Sequence, residues 1–273
     1  MKIESPLVSA EWLHKNQANP TIIILDATLP KATDKSAQTA DEQIVGARFF
    51  DIKKTFSEVS ATFPNTMLSP EVFEQKAREL GINNSSILVV YDSHGIYSSA
   101  RAWWMFRAMG HDQVAVLDGG LPAWKAAGYP TESPQKTVYD LGNFNATPQP
   151  NAFVNYTEVL AAIQSDTAIV DARSADRFFA KVEEPREGLR SGHIPGATNV
   201  PYSTLLTDKG QVKPLDQLAA LLTHDGATIF TCGSGITACV LALGASLLGR
   251  ENSSVYDGSW TEWGSIATLP IEQ

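Results

Sequence analysis

Cysteine is scarce in this chain, which has only two cysteines, Cys232 and Cys239, among its 273 residues. Two cysteines seven positions apart are too few for a disulfide framework, so we expect a reducing, cytoplasmic environment. No second cysteine pair accompanies them and the five histidines are scattered, which argues against a metal site. The first residues, MKIESPLVSAEWLHKNQ, lack the apolar segment of a secretory signal, and this also favours a cytoplasmic location.

Positive charge and long apolar runs are lacking as well. The 21 lysines and arginines stand against 30 acidic residues, and the net charge of −9 argues against nucleic acid or an anionic membrane as the main partner. The sequence has no run of about 18 apolar residues, so we expect no membrane span. With 43% hydrophobic and 19% charged residues, the composition is typical of a soluble globular protein.

Two phosphate-binding motifs are missing from the glycine-rich segment FTCGSGITACV, residues 230–240. The phosphate-binding loop of NTPases needs a lysine directly after its glycines, and none follows here. A cysteine phosphatase needs an arginine at the sixth position after its cysteine, and Ala238 occupies that position. Chemistry on a phosphate group is therefore disfavoured for this segment.

The chain contains two copies of one pattern. Four segments of the first half recur in the same order 139 to 150 positions later: IIILDATLP (22–30) as AIVDARSA (168–175), QIVGARFFDI (43–52) as HIPGATNVPY (193–202), ILVVYDSHG (87–95) as TIFTCGSG (228–235), and VAVLDGGLPAW (114–124) as SSVYDGSWTEW (253–263). Four matches in a conserved order indicate a duplicated domain.

Each copy alternates short β-branched runs with helical segments, such as residues 70–80 and 214–223, which is the pattern of βαβ units. The predicted fold class is therefore α/β, with two tandem domains that each contain a mainly parallel sheet flanked by helices. We predict a first domain over residues 1–130 and a second over 151–273. Residues 131–150, rich in proline, asparagine and threonine, are predicted to form the linker between them.

Cys232 is the candidate nucleophile. It follows the predicted strand ATIF at the carboxyl end of the sheet, where open α/β folds place their active sites. In the first copy Asp92 takes its place, so the two copies differ at this position. The alternative is that Cys232 is a small buried apolar residue, as most free cysteines are. That alternative is the favoured one for Cys239, which lies farther along the predicted helix.

The residues around Cys232 favour a negatively charged sulfur. Gly233 and Gly235 allow the chain to curl so that successive N–H groups point inward, and Ser234 and Thr237 add hydroxyl donors. A helix predicted from about Ala238 would direct its positive end at the loop. Cysteine reacts as the thiolate, which such a surrounding stabilises.

The chain resembles the tandem-domain sulfurtransferases of the rhodanese superfamily in five segments: CGSGITAC (232–239), RFFAKVEEPREGLRSGHIPGATNVP (177–201), YDGSWTEWG (256–264), YSSARAWWMFRAMGH (97–111) and VLDGG (116–120). The resemblance spans about residues 7–266. It implies two rhodanese-like domains, the first inactive and the second with a cysteine that cycles through a persulfide. It also implies that no cofactor is needed.

The resemblance also implies the sulfur donor. Family members that use thiosulfate typically have arginine and lysine after the cysteine, whereas those that use 3-mercaptopyruvate have C-G-[ST]-G-V-T-A. This chain has CGSGITA, with Ile236 in place of valine. Arg177 and Arg186 match the family arginines that hold the carboxylate and ketone of 3-mercaptopyruvate. From the sequence alone, the simpler interpretation is that both pair with nearby glutamates at positions 183, 184 and 187.

The expected reaction is transfer of a sulfur atom from 3-mercaptopyruvate to Cys232, with release of pyruvate. The persulfide then passes its sulfur to cyanide or to a thiol acceptor, such as a thioredoxin-like protein or a low-molecular-weight thiol. Ser234 is expected to hydrogen-bond the ketone or to assist proton transfer. Two alternatives remain open: a thiosulfate:cyanide sulfurtransferase, and a non-catalytic rhodanese-like scaffold.

One position departs from the family. Its members often have a first-domain histidine in an H-I-P-G motif, which has been suggested to relay protons with the loop serine. The matching stretch here is QIVG, so Gln43 stands in the place of that histidine. A glutamine cannot exchange a proton near neutral pH, which leaves the catalytic role of Ser234 open. His193, in the second-copy motif GHIPG, is expected to be structural.

Overall fold

The computed structural model describes residues 1–31 and 41–273, and these residues divide into two units. The first unit comprises Met1–Ser57, Met67–Gln149 and Asp208–Val212. The second comprises Glu58–Thr66, Pro150–Thr207 and Lys213–Gln273. A short segment from each half of the chain thus belongs to the unit formed mainly by the other half.

The first unit is built on a five-stranded parallel sheet. Its elements are, in chain order, β1 (Leu7–Val8), α1 (Ala10–Asn16), β2 (Ile22–Asp26), β3 (Gln43–Ile44), β4 (Arg48–Phe49), α2 (Pro70–Glu79), β5 (Ile87–Tyr91), α3 (Ser99–Ala108), β6 (Val114–Leu117), α4 (Gly120–Ala126) and β7 (Thr131–Glu132). The strands of the sheet lie in the order β1-β6-β5-β2-β4, while β3 and β7 form a separate antiparallel pair.

Local sequence explains these elements. Every residue of β2 (IIILD) and β5 (ILVVY) is buried, because helices cover both faces of a parallel sheet and leave no face that favours polar residues. Helix α1 begins after Ser9, whose hydroxyl accepts a hydrogen bond from the N–H of Trp12 at 3.1 Å. Helix α2 begins after Ser69 with Pro70 at its first turn, which confirms the helix predicted over residues 70–80.

The second unit repeats this arrangement. Its elements are β8 (Phe153–Val154), α5 (Tyr156–Ala162), β9 (Ala168–Asp171), α6 (Ala175–Phe178), β10 (Thr198–Asn199), a 3-10 helix (Tyr202–Leu205), α7 (Leu215–Leu221), β11 (Thr228–Thr231), α8 (Ala238–Leu247), β12 (Ser253–Tyr256) and α9 (Ser259–Trp263). The strands form a parallel sheet in the order β10-β9-β11-β12-β8.

The two sheets have equivalent strand orders. Reading from β4 in the first unit and from β10 in the second, each pair of equivalent strands occupies the same place in its sheet. The predicted duplication and the α/β fold class are therefore confirmed, as is the helix predicted from Ala238. None of the helices in the described part of the chain is long and apolar enough to cross a bilayer.

Residues 131–149 contain β7 but no helix, and they run along the end of α2 within the first unit. The N–H of Gly142 donates to the carbonyl of Arg78 at 2.9 Å, and the N–H of Phe144 donates to that of Ile82 at 3.1 Å. The Phe144 side chain is buried. This stretch is therefore packed onto the first unit rather than free of it.

Candidate active site

Cys232 directly follows β11 at the carboxyl end of the second sheet, and its loop runs to the start of α8. The cysteine is 1% exposed, and Gly235 in the loop has a φ of 75°, in the left-handed region that glycine adopts freely. The structure thus brings the predicted loop residues into one tight turn. Cys239, the second residue of α8, is fully buried, as predicted, and its thiol donates to the Gly235 carbonyl at 3.3 Å.

Ser259, the first residue of α9, ties this loop to the rest of the second unit. Its hydroxyl oxygen accepts hydrogen bonds from the backbone N–H groups of Cys232 at 3.2 Å and Gly235 at 3.1 Å. The same hydroxyl donates to the Tyr256 carbonyl at 2.8 Å and lies 4.0 Å from the Cys232 sulfur. Ser259 is fully buried and has a φ of 49°, which is uncommon for a residue with a side chain.

Ser259 was not among the site residues predicted from the sequence, although a comparison of the two copies contains a signal for it. Its counterpart in the first copy is Gly120, which has a similar φ of 54°. A side chain at Gly120 would come within 2.4 Å of the Asp92 and Gly95 carbonyl oxygens, so only glycine fits there. The left-handed backbone at position 259 would favour glycine as well. Backbone geometry therefore does not explain why the second copy has a serine there.

Helix α9 forms hydrogen bonds at both of its ends. Its first residues bond the Cys232 loop, and its last turn bonds Arg190. The N–H groups of Trp260 and Thr261 donate to the carbonyls of Cys232 and Gly233 at 3.0 and 2.9 Å. At the other end, the guanidinium of Arg190 donates to carbonyls in and after the last turn. These are the carbonyls of Trp263 at 3.0 Å, Gly264 at 3.1 Å, Ile266 at 2.6 Å and Leu269 at 3.0 Å.

In the first unit an anion occupies the position equivalent to the cysteine. The Asp92 carboxylate is fully buried. Its Oδ2 atom accepts hydrogen bonds from the backbone N–H groups of Tyr97 at 2.8 Å, Ser98 at 3.0 Å and Ser99 at 2.9 Å, and from the Ser99 hydroxyl at 2.7 Å. In the alignment of the two copies, which pairs Asp92 with Cys232, the counterparts of Tyr97 and Ser98 are Thr237 and Ala238. The loop geometry of this fold therefore accommodates a negative charge at this position.

Arg177, in α6, lies against the active-site loop. Its Nε and Nη2 atoms donate to the two carboxylate oxygens of Glu184, at 3.2 and 2.5 Å. A Cβ atom on Gly233 would lie 3.1 Å from Nη2 of Arg177 and 3.5 Å from Nη1. The guanidinium therefore occupies the space beside the residue that follows Cys232, and its side chain is 18% exposed.

Glu184 is shared with a second arginine that the sequence analysis did not single out. Arg173 donates to Glu184 at 2.9 Å and, through two nitrogens, to Asp171, with a shortest distance of 2.7 Å. The side chains of all three are at most 1% exposed. Burial lowers the pKa of Arg173, but the two carboxylates outweigh it and the pKa is raised overall, so this arginine stays charged. Its guanidinium also stacks on the Trp260 ring at 4.2 Å.

Arg186 and Ser234 meet in the second unit. Nη2 of Arg186 donates to the Ser234 hydroxyl at 3.3 Å. Asn65 donates from its side-chain amide to both the hydroxyl and the carbonyl oxygen of Ser234, each at 3.1 Å. Asn65 is 169 positions away in the sequence and belongs to the Glu58–Thr66 segment of the second unit, which is why sequence patterns did not reveal it.

Gln43 and His193 both make structural contacts. Gln43 is buried in β3 of the first unit, and its amide donates to the Ala47 carbonyl at 3.1 Å and to Glu132 at 3.0 Å. His193 is buried in the second unit, where Nδ1 lies 3.0 Å from the Phe178 carbonyl and the ring stacks on that of Phe178 at 3.8 Å. These contacts agree with the structural role expected for His193. Among residues 1–31 and 41–273, no cluster of three side chains suited to a metal ion is present.

Comparison with known proteins places this site in a family. Residues 9–127 and 155–266 each match the family model of the rhodanese-like domain. The chain belongs to the rhodanese-like family. The resemblance inferred from the sequence motifs is thus confirmed, and the two units are two rhodanese-like domains.

Relatives of this rhodanese-like chain cover almost its full length. It is 41% identical to the 3-mercaptopyruvate sulfurtransferase of Escherichia coli K12, over 97% of each chain. It is 36% identical to thiosulfate/3-mercaptopyruvate sulfurtransferase 1 of Arabidopsis thaliana, over 98% of this chain and 78% of the relative. Among solved structures, it matches SseA from Escherichia coli with a TM-score of 0.83 and 38% identity, over 94% of this chain and 99% of SseA.

Proposed function

We propose that this chain is a 3-mercaptopyruvate sulfurtransferase in which Cys232 carries the transferred sulfur. The observation that carries the proposal is the convergence of Cys232, Arg177 and Arg186 on one loop of the second domain. The donor is a monocarboxylate, which requires cations beside the nucleophile rather than within its loop. Full-length similarity to a 3-mercaptopyruvate sulfurtransferase supports the same donor.

The first half-reaction transfers sulfur to the enzyme. The Cys232 thiolate attacks the sulfur of 3-mercaptopyruvate, an S–S bond forms, and the C–S bond breaks. The electron pair of the C–S bond moves onto the organic fragment, which leaves as the pyruvate enolate and takes up a proton. Arg177 and Arg186 bind the carboxylate and ketone of the donor and stabilise the enolate charge. Ser234, which Arg186 and Asn65 contact, is placed to hydrogen-bond the ketone.

The persulfide that results is an anion, and the backbone N–H groups of the Cys232 loop can stabilise its negative charge. Asp92 occupies the equivalent position in the first domain, where three backbone N–H groups solvate its carboxylate. In the alignment of the two copies, the N–H groups of Thr237 and Ala238 are the counterparts of two of these groups in the Cys232 loop. We infer that these groups stabilise the terminal sulfur between the two half-reactions, as preorganised N–H donors do for other developing anions.

The second half-reaction returns the cysteine to its starting state. A thiolate acceptor attacks the terminal sulfur of the persulfide, and Cys232 leaves as the thiolate. We propose a low-molecular-weight thiol or a thioredoxin-like protein as acceptor, with cyanide as a laboratory substitute that yields thiocyanate. No cofactor takes part in either half-reaction. The two free cysteines suit a reducing, cytoplasmic compartment, which we propose as the location.

Thiosulfate is the second candidate donor, because the name of the Arabidopsis thaliana relative includes both compounds. Two features disfavour it here. Gly233 adds no cation beside the sulfur, and neither does Ser234. A doubly charged inorganic donor thus gains less from this loop than a carboxylate that reaches Arg186.

The experiment that tests the proposal is steady-state turnover with each donor at matched concentrations, with a dithiol or cyanide as acceptor. We expect a higher kcat/KM for 3-mercaptopyruvate than for thiosulfate. A preference for thiosulfate would replace the proposed donor with the second candidate. The absence of turnover with both donors and both acceptors would instead favour a non-catalytic scaffold.

A further inference from the structure

Four charged side chains form a continuous buried row in the second domain. Asp171 contacts Arg173, Arg173 contacts Glu184, and Glu184 contacts Arg177, with shortest distances of 2.7, 2.9 and 2.5 Å. The charges alternate and sum to zero, which satisfies a low-dielectric interior. Only Arg177, at the end of the row, is appreciably exposed, so the row ends at the active-site loop.

Glu184 determines which N–H groups Arg177 can offer. It accepts hydrogen bonds from Nε and from Nη2, which together form one edge of the planar guanidinium. A guanidinium has five N–H groups in a rigid plane, so fixing one edge also fixes the direction of the remaining donors. Those remaining donors are on Nη1 and Nη2, the two atoms that lie closest to Gly233.

Gly233 supplies the space that this orientation requires. Its φ is outside the left-handed region, so the backbone does not call for glycine at this position. A Cβ atom there would meet the Arg177 guanidinium at 3.1 Å, closer than ordinary van der Waals contact. A flexible arginine would normally move aside, but the two hydrogen bonds to Glu184 resist that movement.

We propose that Glu184 is a positioning residue for the donor site: it holds one edge of Arg177 so that the other edge faces a carboxylate-bearing donor beside Gly233. The proposal rests on the proposed function only for the identity of the donor. Glu184 does not touch the reacting atoms and acts through Arg177. Its neighbours Glu183 and Glu187 have the same charge but are exposed, so burial and contact distinguish Glu184 from them.

The test is the substitution Glu184→Gln, which keeps the shape of the side chain and removes its charge. We expect kcat/KM for 3-mercaptopyruvate to fall about tenfold to a hundredfold, mainly through KM, since a donor-binding group loses its orientation. The matched control is Glu183→Gln, one position away and exposed, which should remain within about twofold of the wild type.

A double-mutant cycle separates positioning from a purely structural role. In an Arg177→Ala background, Glu184→Gln should cost less than about threefold, because the group it positions is already absent. An equal loss in both backgrounds would overturn the proposal, and so would wild-type KM in Glu184→Gln. If wild-type enzyme prefers thiosulfate, the cycle is measured with thiosulfate, so failure of the donor assignment is distinguished from failure of the positioning role.

If the loss of a buried charge prevents Glu184→Gln from folding, the variant Glu184→Asp provides the test instead. Aspartate keeps the charge but is one methylene shorter, so it cannot reach both arginines at their present distances. We expect a folded protein, judged by its thermal transition, with a raised KM for the donor. A wild-type KM in Glu184→Asp would overturn the proposal.

Discussion

The Ser259 hydroxyl accepts a hydrogen bond from the backbone N–H of Cys232 at 3.2 Å. The hydroxyl accepts a second hydrogen bond from the N–H of Gly235 at 3.1 Å. Ser259 has a left-handed backbone conformation, with a φ of 49°. Both N–H groups are buried, so the hydroxyl satisfies two donors that water cannot reach. In the first domain the equivalent residue is Gly120, which has a similar φ of 54° and no side chain.

Replacing Ser259 tests this relationship. Ser259→Ala leaves two buried N–H groups without their acceptor and keeps the unfavourable φ, so we expect a loss of about 1–3 kcal/mol of stability and a lower kcat. Ser259→Gly loses the same acceptor but relieves the φ, and it should be the more stable of the two variants. Urea unfolding and steady-state kinetics measure both effects. Stability of Ser259→Ala at the wild-type level would contradict this account.

Cys232→Ser should abolish sulfur transfer, because the hydroxyl of serine does not form a persulfide. Cys239→Ser is the matched control: its side chain is buried in α8, and we expect most of the activity to remain. After treatment with donor alone, mass spectrometry should find one added sulfur on the peptide that contains Cys232. An added sulfur that persists in Cys232→Ser would place the nucleophile elsewhere.

Arg186→Ala should lower kcat and raise KM together. The arginine is placed to bind the donor in both the ground state and the transition state, and losing one charge-assisted hydrogen bond costs about 1.5–3 kcal/mol. That cost corresponds to a decrease of roughly tenfold to a hundredfold in kcat/KM. Lys181→Ala removes an exposed cation of the same segment and serves as control. Equal kinetics for the two variants would remove Arg186 from the donor site.

Asp92→Asn should destabilise the protein. The substitution replaces a buried carboxylate that accepts three backbone N–H bonds with a neutral amide, and hydrogen bonds to charged groups are worth about 1.5–3 kcal/mol. Asp112→Asn, at an exposed position of the same domain, should have little effect. A comparison of thermal transitions is sufficient, and an unchanged transition in Asp92→Asn would mean that the carboxylate contributes nothing to stability.

His111 should make stability depend on pH below neutrality. Burial lowers the pKa of this histidine in the folded state, and its hydrogen bond to the Ser86 carbonyl only partly opposes that effect. The unfolded chain therefore binds the proton more readily, and stability is lost as the pH falls below about 6.5. Between pH 7.5 and 5.5, His111→Gln should lose less stability than the wild type. The control His224→Gln, at an exposed position, should lose as much stability as the wild type. Parallel pH profiles for wild type and His111→Gln would refute the assignment.

Much of the fold could be predicted from the sequence, because it depends on local patterns that recur. The duplicated strands, the helix after Cys232 and the order of elements all follow from short segments. The contacts of Asn65 and Ser259 could not be predicted, since each joins residues far apart in the chain. For Arg177, the sequence left ion pairing and donor binding as alternatives, and the structure has it both paired with Glu184 and adjacent to Gly233.

Helix α9 has a consequence for the entropy of donor binding. Its first residues bond the loop of Cys232, and its last carbonyls bond Arg190, four residues beyond Arg186. Nucleophile and donor-binding segment are thus joined through one five-residue helix, and their spacing is set before a donor arrives. Donor binding therefore has to order few protein groups, and its cost in conformational entropy is small. More of the interaction energy is then available to lower the barrier of the reaction.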